Sequence, residues 1–362
     1  MTPSGDPPYI CSSKALHSHN VVLLSWDLSN QPFPALVAEV LNEKWPNAKL
    51  FIEALPMRGD DPTLDDEGED LLNRRTLNSL LGCGNIYSIN AFTDCNFPGQ
   101  MRRLKEIILS CKRLEVLHLR LWRNEDGRLP TSQAESSEFD LCVESGDKLP
   151  PLKELAIDSK IFTPTSPTTV SIPSTFWNWS QIRHLELRGQ NMLFFLESIR
   201  GQILHLDTLI IEHFFYEAGY DGDADRVLED FIISIHGLKN LKLINPTKQI
   251  PISTFAHHGS TLQRLTVLHP RKTVLLYSGY TNACPYEPAD LEYLRESCPR
   301  LRSLALDMEV CSELVSPSSS VNNSLLFRYS LTPTVDSPTT FLPPSPGSPN
   351  SRESAFISGS KD

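Results

Sequence analysis

The sequence predicts an α/β solenoid, a curved stack of repeats whose parallel strands line the concave face and whose helices cover the convex one. Three observations carry this. Residues 111–122, Cys-Lys-Arg-Leu-Glu-Val-Leu-His-Leu-Arg-Leu-Trp, hold a Leu-x-x-Leu-x-Leu unit at Leu114, Leu117 and Leu119 that recurs along the chain. Because strand side chains alternate, Leu117 and Leu119 point to one face while Val116, His118 and Arg120 point to the other. Just upstream, after the Pro98-Gly99 break, Leu104, Ile107, Ile108 and Cys111 fall at i, i+3, i+4 and i+7, the apolar stripe of a helix.

The unit is complete at Leu152-Lys-Glu-Leu155-Ala-Ile157, Ile182-Arg-His-Leu185-Glu-Leu187, Leu206-Asp-Thr-Leu209-Ile-Ile211, Leu238-Lys-Asn-Leu241-Lys-Leu243 and Leu301-Arg-Ser-Leu304-Ala-Leu306. Leu262-Gln-Arg-Leu265-Thr-Val267 is a further copy, and Ile86-Tyr-Ser-Ile89-Asn-Ala91 a looser one. This is the signature of a leucine-rich repeat, here with several units longer than the usual period and the customary Asn position mostly unfilled.

In chain order, residues 1–20 are rich in Pro, Ser and Gly and are expected to be disordered. Val21-Val-Leu-Leu-Ser-Trp26 reads as the first strand. Pro34 opens a helix whose Val37, Val40, Leu41 and Trp45 form an apolar face, and a strand at Lys49-Leu-Phe-Ile52 follows Pro46. The solenoid is assigned to 21–311. Insertions at 123–148 and 163–173 are expected as loops on one rim. Asp225 is read as the N-cap of a helix that buries Leu228, Phe231, Ile232 and Ile235 and stops at Gly237. Residues 312–362, rich in Ser and Pro, are expected to form a disordered tail with proline-directed phosphorylation sites at Ser316, Thr332, Ser337, Ser345 and Ser348.

The stretches 25–28 and 41–52, 101–119 and 297–306 together resemble the repeat region of fungal F-box/leucine-rich-repeat proteins, over roughly residues 21–310. The resemblance implies a non-enzymatic substrate-binding part of a ubiquitin-ligase receptor. Cullin-type ligase subunits would be partners if an F-box is supplied. The helical F-box, which opens with a Leu-Pro pair in that family, has no counterpart here, because Leu149-Pro150 lies inside the array and leads into a strand. A stand-alone scaffold or regulator is the alternative.

Composition narrows the remaining choices. A net charge of −11 without a long basic run opposes nucleic-acid binding, and seven acids within 60–70 read as a solvated loop. No apolar run approaches the roughly 18 residues of a membrane span. The start of the chain lacks the pattern of a secretory leader, so a cytoplasmic or nuclear location is expected. The eight cysteines form no Cys-x-x-Cys pair, and neither His17-x-His19 nor His257-His258 has the company of a metal site. Alternating acids at Asp221, Asp223 and Asp225 fail as a calcium loop, since the sixth and twelfth positions are Arg226 and Ile232. Gly82-Cys-Gly84 precedes a strand and reads as a repeat turn rather than a dinucleotide loop. No hydrolase, phosphate-loop or zinc-protease signature is present, so no catalytic residue, cofactor or metal is assigned.

Function is therefore sought on the displayed side of the strands. The residues expected to meet a protein partner are His118, Arg120, Glu154, Asp158, His184, Glu186, Arg188, Glu212, Lys242 and Asp307. Both signs of charge occur among them, which suits selective contact by a monomeric receptor with a protein.

Overall fold

Leucines spaced by two need a partner surface on one side only, and helices packed on one face of a parallel sheet supply it. A computed structural model describes residues 16–18, 21–28, 33–57, 76–94, 98–122, 147–159, 178–189, 192–213, 223–246, 249–268, 286–308 and 325–330. All lie in the unit Met1–Leu331; none falls in the second unit, Thr332–Asp362.

The strands are β1 (Leu16–Ser18), β2 (Val21–Asp27), β3 (Lys49–Met57), β4 (Ile86–Asp94), β5 (Val116–Trp122), β6 (Glu154–Ser159), β7 (His184–Gly189), β8 (Thr208–His213), β9 (Asn240–Ile244), β10 (Arg264–Leu268), β11 (Ser303–Met308) and β12 (Leu325–Ser330). They form one sheet in sequential order. β2 to β11 are all parallel, while β1 and β12 close the two ends antiparallel. Both end strands lie beyond the 21–311 array that the repeat pattern marks. The other expectations for the flanking segments, the five phosphorylation sites included, fall outside the described residues, as do most of the two insertions and the acidic stretch 60–70.

Helices alternate with the strands: α1 (Ala35–Lys44), α2 (Pro98–Ser110), α3 (Met192–Ile199), α4 (Asp223–Ser234), α5 (Ile252–Ala256) and α6 (Pro288–Ser297), with further helical residues at 76–81 and a 3-10 turn at Trp179–Gln181. The chain is thus an α/β protein whose ten parallel strands alternate with helices in a solenoid-like order.

The register is what makes the units equivalent. Leu117, Leu155, Leu185, Leu209, Leu241, Leu265 and Leu304 stand opposite one another from strand to strand, and two residues on so do Leu119, Ile157, Leu187, Ile211, Leu243, Val267 and Leu306. These rows join the helix residues Leu104, Ile107, Ile108, Leu196, Leu228, Phe231 and Phe255 in one core. Each fully buried side chain of this size is worth about 1.5–3 kcal/mol. Backbone hydrogen bonds repeat as well. The carbonyls of Glu115, Lys153, Arg183, Asp207, Lys239 and Gln263 each accept two N–H groups from the start of the next strand.

Two local expectations change. Trp45 is 49% exposed rather than packed, because it is the C-cap of α1 with φ −129° and lies past the last helical turn; Ala38 and Leu41 carry the buried face instead. Helix α4 begins at Asp223, ahead of the expected cap Asp225, although Leu228, Phe231, Ile232 and Ile235 are buried and Gly237 turns the chain at φ +79° as expected.

Candidate functional site

The side of the sheet away from the helices carries three aligned rows. The first runs Val116, Glu154, His184, Thr208, Asn240, Arg264 and Ser303, and the second His118, Ala156, Glu186, Ile210, Lys242, Thr266 and Ala305. The third brings Arg120, Asp158, Arg188, Glu212 and Ile244 abreast. Alternation along each strand is the cause. In β6 and β7 every second residue is buried and the one between is half-buried, so the sequence pattern becomes an open face.

Nine of the ten candidate residues meet on this face between β5 and β9. The tenth, Asp307, belongs to β11 opposite Leu326, and its side chain lies outside the described residues. The charges are not independent. His118 Nε2 is 2.9 Å from Glu154 Oε1. Arg188 holds Glu186 at 2.5 Å and lies 3.7 Å from Glu212 through its Nε. His184 Nε2 stands 3.9 Å from Glu186, an ion-pair distance rather than a hydrogen bond. His184 and Arg188 outweigh the cost of burial at Glu186, whose carboxyl is drawn down to about 2. The Glu154 carboxyl is likewise lowered, chiefly by His118 and against the cost of burial. Arg120 is exposed and its guanidinium lies 5.0 Å from the Phe92 ring centre, a cation–π contact. Glu186 and Arg188, which pair with each other, are half-buried, whereas Arg120 is exposed.

Near the start of the strands a second network crosses four units. The Lys49 ammonium is 3.8 Å from the centre of the Tyr87 ring, the Tyr87 hydroxyl donates to Glu115 at 2.9 Å, and Lys153 reaches the same carboxylate at 2.6 Å. Burial works against ionisation of Glu115, yet Lys153, Tyr87 and Lys49 outweigh it and its carboxyl is lowered. Farther along, Lys239 pairs with Asp207 at 2.9 Å, and Arg264 Nε donates to Asn240 Oδ1 at 2.5 Å, whose amide donates to Thr208 Oγ1 at 3.0 Å.

Sequence reasoning missed several of these. Phe92 and Arg264 lie on the open face because their looser repeats keep the same register, a signal available in the spacing of Ile86-x-x-Ile89 and Leu262-x-x-Leu265. His205, His236 and His257 also come side by side, with ring centres 6.1 Å and 6.4 Å apart in succession, although wide gaps separate them in the chain. Among the described residues no group of three or more His, Cys, Asp or Glu is placed to hold a metal ion. Cys83, Cys111 and Cys298 are free and buried, and burial raises the Cys111 thiol to about 12, which makes it a packing residue rather than a nucleophile. No helix among the described residues is long and apolar enough to cross a membrane. The chain matches no protein-family model, and no curated protein matches it.

Proposed function

We propose that the chain is a non-enzymatic leucine-rich-repeat module that recognises a protein target, similar to the substrate-binding part of an F-box receptor of a ubiquitin ligase, and that it acts as a monomer in the cytoplasm or nucleus. One observation carries the reading. The open face of a parallel sheet, in register over seven strands, presents acids, bases, amides and aliphatic groups in rows. Such a surface offers charge pattern for selectivity and half-buried apolar atoms for affinity. A nucleic-acid surface would instead concentrate cations, and this face pairs Glu154, Glu186 and Glu212 with its own His118 and Arg188.

The alternative is a scaffold or regulator without a ligase role, favoured by the position of Leu149-Pro150, which sits in irregular chain leading into β6 rather than at the head of a helical segment. Affinity purification from the native host separates the two. Recovery of cullin-complex subunits supports the receptor; targets recovered without them support the scaffold. Simultaneous Arg120→Glu, Glu186→Arg and Arg188→Glu keeps the Glu–Arg pair in swapped form while inverting the field above it. Loss of captured partners with a native circular dichroism spectrum is expected, at some cost in melting temperature because the new Glu at 188 faces Glu212, and undiminished capture by the folded variant would move the site off this face.

A further inference from the structure

We propose that the recognised segment is an acidic peptide with aliphatic neighbours, and that it docks over β8–β10 with a carboxylate on Lys242 and Arg264; this rests on the protein-recognition reading above. The open face is electrically uneven. Between β5 and β8 the carboxylates of Glu154, Glu186 and Glu212 already have partners in the same chain, His118 for the first and Arg188 for the other two. On β9 and β10 the displayed residues are Asn240, Lys242, Ile244, Arg264, Thr266 and Leu268, two cations and no acid.

Lys242 is half-buried, flanked in register by Ile210 and Thr266, and has no ion pair or hydrogen bond among the described residues. A partly desolvated ammonium without a counter-ion is an unfavourable arrangement that a bound anion relieves. Arg264 is exposed and commits its Nε to Asn240, which steadies the guanidinium and leaves its terminal N–H groups to a carboxylate. Ile210, Ile244 and Leu268 are half-buried around the two cations and give an occupant apolar area to cover. A nucleic-acid strand fits worse: two cations are few for a phosphate backbone, and the chain as a whole carries −11. An acidic side chain between aliphatic ones satisfies both features.

The test is selection from a random peptide display library on the immobilised full chain, with Lys242→Glu/Arg264→Glu and, on the exposed side of α2, Arg102→Glu as comparison baits, each checked by circular dichroism. Peptides enriched in Asp or Glu beside Leu, Ile or Val are expected, with recovery falling at least ~10-fold on the double variant and little on Arg102→Glu, since reversing both cations sets like charges against the peptide carboxylate. Should the double variant misfold, Lys242→Gln/Arg264→Gln carries the comparison. Enriched peptides that lack acidic residues, or that the double variant retains equally, would overturn this inference while leaving protein recognition standing. No enrichment on any bait would remove both. A labelled single-stranded oligonucleotide retained in place of peptides would also overturn it.

Discussion

His118 and Glu154 bond diagonally across neighbouring strands: His118 stands opposite Ala156, yet its Nε2 reaches Glu154 Oε1 at 2.9 Å. The small Ala156 side chain leaves the imidazole room to lean toward the start of β6. Both partners are about one-third exposed, so the pair contributes at most ~1 kcal/mol to stability. His118→Ala is expected to leave the melting temperature nearly unchanged while the Glu154 carboxyl rises toward the ordinary range, because His118 is the largest cause of its depression. Carboxyl chemical shifts followed against pH read this directly; an unmoved Glu154 titration would assign the depression elsewhere.

Glu186 is the anchor of the face. Its carboxyl at about 2 lies below the unfolded value, so its contribution to stability is present above the ordinary carboxylate range and is lost as pH falls through the folded value. Glu186→Gln removes the close partner of Arg188 and leaves that guanidinium with Glu212 at 3.7 Å. A loss of about 1–2 kcal/mol at neutral pH is expected in urea denaturation, and much less near pH ~2, where the native carboxyl is half protonated. Equal losses at both pH values would contradict the assignment.

The repeat was legible because alternation and burial obey the same period: Leu155, Ile157, Leu185 and Leu187 are buried where the leucine pattern places them. Side-chain partners were not, since pairing depends on register between segments far apart in sequence. Nothing local to Tyr87 announces that its hydroxyl meets Glu115, or local to His205 that its ring lies beside His236. Trp45 misled for a different reason. Helical spacing extends the apolar stripe of α1 to a residue whose backbone has already left the helix.

His258 gives the fold an acid limit above that of the carboxylates. It is 2% exposed, its Nε2 is 3.0 Å from the Ile232 carbonyl oxygen, and burial, joined by His257 and His236 and opposed by that hydrogen bond, brings its pKa to about 4. An unfolded histidine takes up its proton near ~6.5, so stability is full above that value and falls by ~1.4 kcal/mol per pH unit down to the folded value. Between pH ~7 and pH ~5 a loss of about 2 kcal/mol follows from this group alone. Urea midpoints at the two pH values should show it in the native chain and show a smaller change in His258→Asn, even if that variant is less stable throughout.

Gly259 lies where the backbones of two consecutive units come close together. A Cβ there would lie 1.8 Å from the Ser297 carbonyl oxygen, 2.9 Å from its carbon and 3.1 Å from the Ala256 oxygen, all of them backbone atoms. Neither contact can be relieved by a side-chain rotation, because Ser297 is the last residue of α6 and Ala256 the last of α5. The two helices would have to separate, opening the core at Phe255 and Cys298, whose thiol lies 3.9 Å from the Phe255 carbonyl oxygen. Gly259→Ala should therefore cost more than ~2 kcal/mol, placing it among the severe single substitutions, whereas Gly82→Ala, whose added methyl meets nothing within 4 Å, should stay within ~0.5 kcal/mol. Denaturant midpoints of the two variants decide the matter: equal stability would mean that α5 and α6 have slack at this point, and the tight spacing of the last units would have to be abandoned.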